Sequence, residues 1–173
     1  MLFDLLGFGR PPGAIDEGRA AYLRGSFGPS LELLADALSL PLDSLEADAE
    51  VAMARGKVDI AAGTLEAGTV AAQRTTVSGL RGGRPLLQFR ATWYCATDLE
   101  PAWDVRATGW HVVVDGDAPL DVDIHFPVPP ERWAETSPGL TAHRAVNAVP
   151  VVCAAPPGIR TTLDLGQVIP ILG

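Results

Sequence analysis

The sequence predicts an α+β fold: a largely antiparallel or mixed β-sheet with helices packed on one face, the other face being polar or used for oligomerisation. Three observations predict it. Apolar residues recur with a helical period in the first quarter of the chain, with a strand period from about 45 to 128, and as a nearly continuous apolar segment at 138–155. Two short links, Gly82-Gly83 and Gly116-Asp117, sit inside the strand region and suit tight hairpins, so the strands they join run antiparallel. No helical pattern interrupts the strand region, so its strands need not be joined by crossover helices.

The chain has 173 residues, 47% hydrophobic and 20% charged, which is room for one domain (1–173) with a hydrophobic core and too little for a complete two-domain enzyme. Thirteen Lys+Arg against 21 Asp+Glu leave a net charge of -8. Such a surface repels phosphate backbones, and no basic cluster interleaved with aromatics offsets it, so nucleic acid is excluded as a partner class. No apolar stretch approaches the roughly 20 residues that span a bilayer. The run from Met1 to Leu6 also lacks the basic flank of a leader, so no membrane partner and a cytoplasmic location are expected. Cys95 and Cys153 stand far from each other and from any C-x-x-C pair or Cys/His cluster, which predicts two buried thiols and no zinc or redox role.

Taken in order, Gly7 to Gly13 reads as a turn. It resembles a glycine-rich phosphate loop only superficially, because Pro11 and Pro12 have no N–H to offer a phosphate and the glycine spacing is wrong. Asp16 can cap a helix through Tyr22 and Leu23 to about Ser26. Pro29 or Ser30 opens a second helix, where Leu31, Leu34, Ala35 and Leu38 recur at i, i+3, i+4, i+7 and Pro41 forces a stop. Val51 and Met53 begin the strand period, and Gly63 and Gly68 bracket a loop. Thr69–Leu80 and Pro85–Cys95 then form a hairpin. With Arg81 opposite Arg84, Gln73 faces Thr92, Thr75 faces Arg90 and Val77 faces Gln88, leaving Phe89, Ala91, Trp93 and Cys95 on the apolar face and Arg74 as the misfit.

A second hairpin joins Gly109–Asp115 to Leu120–Phe126. Its second arm alternates cleanly, with Leu120, Val122, Ile124 and Phe126 on one face and Asp121, Asp123 and His125 on the other. The first arm fits two registers. A two-residue turn puts His111 and Val113 with the apolar set, whereas a loop one residue longer puts Trp110, Val112 and Val114 there. Pro138 to about Ala155 reads as a buried helix, interrupted or kinked near Pro150 and ended by Pro156-Pro157-Gly158.

Candidate chemistry is sparse. No G-x-S-x-G elbow is present and neither cysteine has a histidine nearby in sequence, so nucleophilic hydrolysis lacks a signal. His111, His125 and His143 lie on different elements, and no metal is assigned to them. Asp121 and Asp123 share one strand face, suited to acid/base work if buried and to solvent otherwise. Trp93, Trp103, Trp110 and Trp133 are read as packing residues. The most informative polar group is Thr141, His143 and Asn147, with Arg144 alongside, inside a helix apolar enough to be buried. Polar side chains there need a protein partner or a ligand, which makes Thr141, His143 and Asn147 the candidate substrate-binding set. On the sheet, the polar face (Gln73, Thr75, Gln88, Arg90, Thr92, Tyr94) suits solvent, a protein interface or a ligand cleft, with Arg90, Thr92 and Tyr94 as the candidate interface.

Several runs resemble a known family: Ala67-Gly68-Thr69-Val70-Ala71-Ala72-Gln73, the stretch Trp93 to Trp103 with Asp98 and Pro101, and Thr141-Ala142-His143-Arg144-Ala145-Val146-Asn147-Ala148-Val149-Pro150 followed by Pro156-Pro157-Gly158. They are similar to the C-terminal domain of dihydrodipicolinate-reductase-like proteins, nearest to the 2,4-diaminopentanoate dehydrogenase branch. The resemblance runs from about Gly7 to the end, and Thr141, Asn147 and Pro150 match family-typical positions. It implies an N-terminal Rossmann domain that binds NAD(P)H, and a C-terminal α+β domain that contacts a small amino-acid-like substrate and builds a homo-oligomer through its sheet. The present chain contains no Rossmann half. It also lacks the His-His and Lys-containing motif followed by Ser-Gly-Thr, so no catalytic residue carries over. Leu165-Gly166 departs from the Leu-Pro of the pattern. On this resemblance the chain binds no cofactor alone and serves as the substrate-side and assembly domain of an NAD(P)-dependent imine or amine oxidoreductase, missing its Rossmann partner. A stand-alone ligand-binding or oligomerisation module is the alternative.

Overall fold

In the computed structural model, residues 6–14, 18–106, 109–166 and 168 are described. The chain divides into two compact units, Met1–Val105 and Arg106–Gly173.

The first unit is built on a four-stranded antiparallel sheet, covered on one face by a helix. Helix α1 (Gly18–Leu38) precedes β1 (Ser44–Ala54); a small hairpin of β2 (Val58–Ile60) and β3 (Gly63–Leu65) follows, then β4 (Val70–Arg81), β5 (Arg84–Tyr94) and β6 (Leu99–Glu100). The strand order is β5-β4-β1-β6, with every pair antiparallel, which is the predicted fold class. Gly82 (φ 58) and Gly83 (φ 72) make the tight turn between β4 and β5, a conformation that side chains with a Cβ resist. The β2–β3 hairpin occupies part of the segment expected to be a loop.

Two expected helices are one. The Leu23, Phe27, Leu31, Ala35 stripe runs at i+4 straight through Pro29, and Leu23, Leu31 and Ala35 are buried. An internal proline costs about 3 kcal/mol. Burial of a continuous stripe of this size against the sheet recovers more than that. Leu34 and Leu38, expected on the packed face, are exposed. The Asp16 cap lies outside the described residues. The helix ends as Pro41 requires, through Ser39 in the left-handed region (φ 56) and a Leu40 N–H bond to Ala35 O, the pattern of a Schellman cap.

The hairpin register also differs from expectation. Arg81 pairs with Arg84, but between Gly79 and Leu80 the pairing slips, so that Gly79 faces Leu87, Val77 faces Phe89, Thr75 faces Ala91 and Gln73 faces Trp93. A β-bulge at Leu86 moves β4 from Gly79 back toward its start by one residue relative to β5. Gln73 and Thr75 therefore belong to the face covered by α1, and Arg74 to the polar face, which removes the misfit. On the covered face Phe27 stacks on Phe89 with ring centroids 4.6 Å apart. At the end of the sheet where β4 begins, Ala52, Ala54, Ala71 and Ala72 leave room for Leu6, Phe8, Leu65 and Leu99 to close the core.

The second unit holds a two-stranded hairpin, β7 (Gly109–Val114) with β8 (Leu120–His125), and helix α2 (Trp133–Ala154) preceded by a 3-10 turn at Pro130–Arg132. Helix α2 carries Pro138 and Pro150 inside it. It was expected to be buried, and none of its residues is. Its apolar residues Val146, Val149 and Val152 face water in the isolated chain, so apolar composition here marks a surface without a covering layer. Cys153, expected to be a buried thiol, is exposed on the same helix, and Cys95 is half-buried.

Candidate functional site

The loop at the start of the first unit is occupied with its own backbone. Gly9 N–H bonds Val70 O, Val70 N–H bonds Arg10 O and Arg10 N–H bonds Gly7 O. With Pro11 and Pro12 lacking N–H groups, this loop has no row of free amides for a phosphate, and the described residues of this loop do not fit a dinucleotide.

The open face of the sheet is organised in cross-strand rows. Glu46, Ser78 and Gln88 form one, Asp48, Thr76 and Arg90 the next, and Glu50, Arg74 and Thr92 the third. Gln88 Nε2 donates to Ser78 Oγ at 3.0 Å, and Arg90 Nε to Thr76 Oγ1 at 3.4 Å. Arg74 lies 3.8 Å from the Glu50 carboxylate and places its guanidinium 4.3 Å from the centre of the Trp103 ring, a cation–π contact that fixes the end of the face. Of the three candidate interface residues, Arg90 and Thr92 are exposed and Tyr94 is half-buried. The covered face holds what the sequence did not reveal: Gln73 and Thr75 are fully buried, and Gln73 Nε2 and Oε1 and Thr75 Oγ1 have no hydrogen-bond partner. The available signal was the Leu86-Leu87 doublet, which breaks the alternation where the bulge forms.

In the second unit the register of β7 with β8 pairs Trp110 with Ile124, Val112 with Val122 and Val114 with Leu120, which selects the longer-loop alternative. The opposite face carries the charge. His111 Nε2 lies 2.7 Å from Asp121 Oδ1, and Arg106 pairs with Asp123. Asp121 and Asp123 are exposed, so the strand face bearing them is a solvated one. Among the described residues no group of three or more His, Cys, Asp or Glu could hold a metal ion.

The Thr141, His143 and Asn147 set lies on the middle of α2, where Thr141 and His143 are exposed and Asn147 is half-buried. One helical turn separates His143 from Asn147, so they share a side of the helix; Thr141, two residues before His143, falls roughly 160° round it. A Cβ at Gly139 would lie 3.4 Å from the His143 ring, so the imidazole leans back over the preceding turn. At the C-terminal end of the helix, Pro150, Val151, Ala154, Pro156, Asp164 and Leu165 line a shallow depression of about 490 Å³. Asp164 accepts from Thr161 N–H and Oγ1, both at 2.8 Å, and these bonds hold its carboxyl below the usual carboxylate range.

Comparison with known proteins places these observations. The family model described as the 2,4-diaminopentanoate dehydrogenase C-terminal domain matches residues 15–173. Among solved structures, the amine dehydrogenase from Mycobacterium smegmatis is similar in fold, with a TM-score of 0.65 and 20% identity over 97% of this chain and 47% of that one. The chain thus spans about half the length of that structure. No curated protein sequence matches. None of the helices formed by the described residues is long and apolar enough to cross a membrane.

Proposed function

The chain belongs to the 2,4-diaminopentanoate dehydrogenase C-terminal domain family, and from that premise we propose that it is the substrate-side and assembly domain of an NAD(P)-dependent imine or amine oxidoreductase, inactive without a nicotinamide-binding domain. The observation that carries this is the family match over residues 15–173 combined with the 47% share of the amine dehydrogenase that the chain spans. A nicotinamide held by the complete enzyme would supply the hydride exchanged with a C–N carbon, and this chain would shape and dry the pocket around a small amino-acid-like substrate.

Within that scheme the middle of α2 faces substrate. Asn147 supplies a neutral donor and acceptor, and His143, on the same side, can give or take a proton. Thr141 borders the same segment from the other side of the helix and is proposed as a hydrogen-bonding flank. The polar sheet face, through Arg90, Thr92 and Tyr94, joins a second copy. Such a protein works in the cytoplasm, where its thiols stay reduced.

The test titrates NADPH and NADH into the chain while nicotinamide fluorescence is followed. No binding to millimolar cofactor is expected, and micromolar saturation would refute the half-enzyme reading. In the complete enzyme Asn147→Ala should raise KM about tenfold, the effect of one lost hydrogen bond; unchanged KM would remove Asn147 from the site. If adding a dinucleotide-binding domain restores no activity on any amine, the stand-alone module becomes the better reading.

A further inference from the structure

Gln73 and Thr75 are the two buried polar residues among those described, and they are neighbours on the covered face of β4. All three of their polar side-chain atoms, Gln73 Nε2 and Oε1 and Thr75 Oγ1, lack a hydrogen-bond partner. Orphaned polar groups in a dry layer are costly, and they are kept where something other than stability needs them. Ala49, Val51, Val77 and Ala91 surround them on that face without a charge. On β5 the row reads Phe89, Ala91, Trp93, with Ala91 opposite Thr75 and Trp93 opposite Gln73. The short Ala91 leaves a gap between two aromatic side chains, and Phe27 of α1 fills it. Its ring centroid lies 4.6 Å from that of Phe89 and 6.5 Å from that of Trp93, with interplanar tilts of 35° and 32°. Phe27 is half-buried, so part of this plug meets water. Every residue of the arrangement belongs to the first unit.

We propose that Phe27 is the gate of a binding slot between Phe89 and Trp93, and that the slot takes a flat, uncharged ring carrying a carboxamide. Rotation of the Phe27 side chain vacates a space one ring thick, which a second ring refills with the same stacking. At the inner end a carboxamide matches the three orphaned atoms. Its N–H donates to Gln73 Oε1, and its carbonyl accepts from Gln73 Nε2 and Thr75 Oγ1. An anion or an ammonium ion entering the same layer would lose its hydration and meet no counter-charge on the sheet. A mostly apolar slot with a few convergent polar groups is the usual construction of a small-molecule site. The slot uses none of the α2 residues assigned to substrate and does not depend on that assignment.

The probe is benzamide, added to the isotope-labelled full chain while the Gln73 side-chain NH2 resonances are followed. Saturable shifts of those resonances at millimolar benzamide are expected. Toluene, which has no head group, and benzoate, which is charged, should bind about tenfold more weakly or worse. Thr75→Val and Gln73→Met remove polar atoms at nearly constant volume. Each should weaken benzamide about tenfold while the thermal midpoint stays or rises, a combination that damage to the fold does not produce. Phe27→Leu keeps an apolar side chain on the sheet but withdraws the ring, and it should bind benzamide several-fold more tightly. Gln73 resonances unmoved at the solubility limit of benzamide would overturn the proposal. So would toluene or benzoate binding as well as benzamide, undiminished binding by Thr75→Val and Gln73→Met, or binding by Phe27→Leu that is no tighter than wild type. Should Gln73→Met or Thr75→Val fail to fold, the contrast among benzamide, toluene and benzoate on the unaltered chain decides.

Discussion

Thr75 lies opposite Ala91, one residue away from the Arg90 that a bulge-free ladder would place there. That displacement carries Thr75 and Gln73 under α1, where neither side chain finds a hydrogen bond. A buried hydroxyl without a partner costs about 1–3 kcal/mol. Thr75→Val keeps the shape and removes the polar atom, so it should stabilise the chain by about 1–2 kcal/mol. Urea denaturation reads this as a higher midpoint at unchanged slope; a lower midpoint would show that the hydroxyl is satisfied.

Helix α1 ends on a residue with the wrong chemistry for its conformation. Ser39 sits at φ 56, where a Cβ is strained, while the Leu40 N–H to Ala35 O bond requires that geometry. Ser39→Gly should therefore stabilise by about 0.5–1 kcal/mol. Thermal unfolding checks the sign, and a loss of stability would mean that the serine side chain does more than its backbone angle suggests.

The two thiols should differ in reactivity. Burial pushes the Cys95 thiol up from 9.0, which reduces its thiolate fraction near neutrality, and Cys153 is exposed on α2. Maleimide at pH 7.5 should label Cys153 at least about tenfold faster than Cys95. Peptide mass spectrometry over a time course measures it.

Acid should loosen the turn after α2 late. The Asp164 pKa is lowered from 3.8 by the Thr161 amide and hydroxyl, so its contribution is present above the unfolded value and is lost as pH falls through the folded one. The Thr161 amide resonance should titrate with a midpoint below 3.8, and Asp164→Asn should abolish that titration.

Assembly through the polar sheet face makes a fifth claim that can fail. Arg90 projects from β5 in the same row as Thr76 and Asp48, and it is exposed in the single chain. Arg90→Glu should reduce the mass of the assembled species in sedimentation. Unchanged mass, with the fold intact, would assign this face to solvent.

What the sequence determined alone was local. The period of two through β4, β5 and β8, the Gly82-Gly83 turn, the stop at Pro41 and the runs shared with the dehydrogenase family are all written in neighbouring residues, because pleat, turn angles and proline sterics act within a few positions. Tertiary structure decided the rest. The bulge at Leu86 set which face of β4 is dry, since one slipped residue inverts every side chain beyond it. A stripe of buried contacts carried α1 through Pro29, where local propensity breaks a helix. Helix α2, apolar enough to read as core, is left exposed because burial is a property of what covers a residue and not of the residue itself.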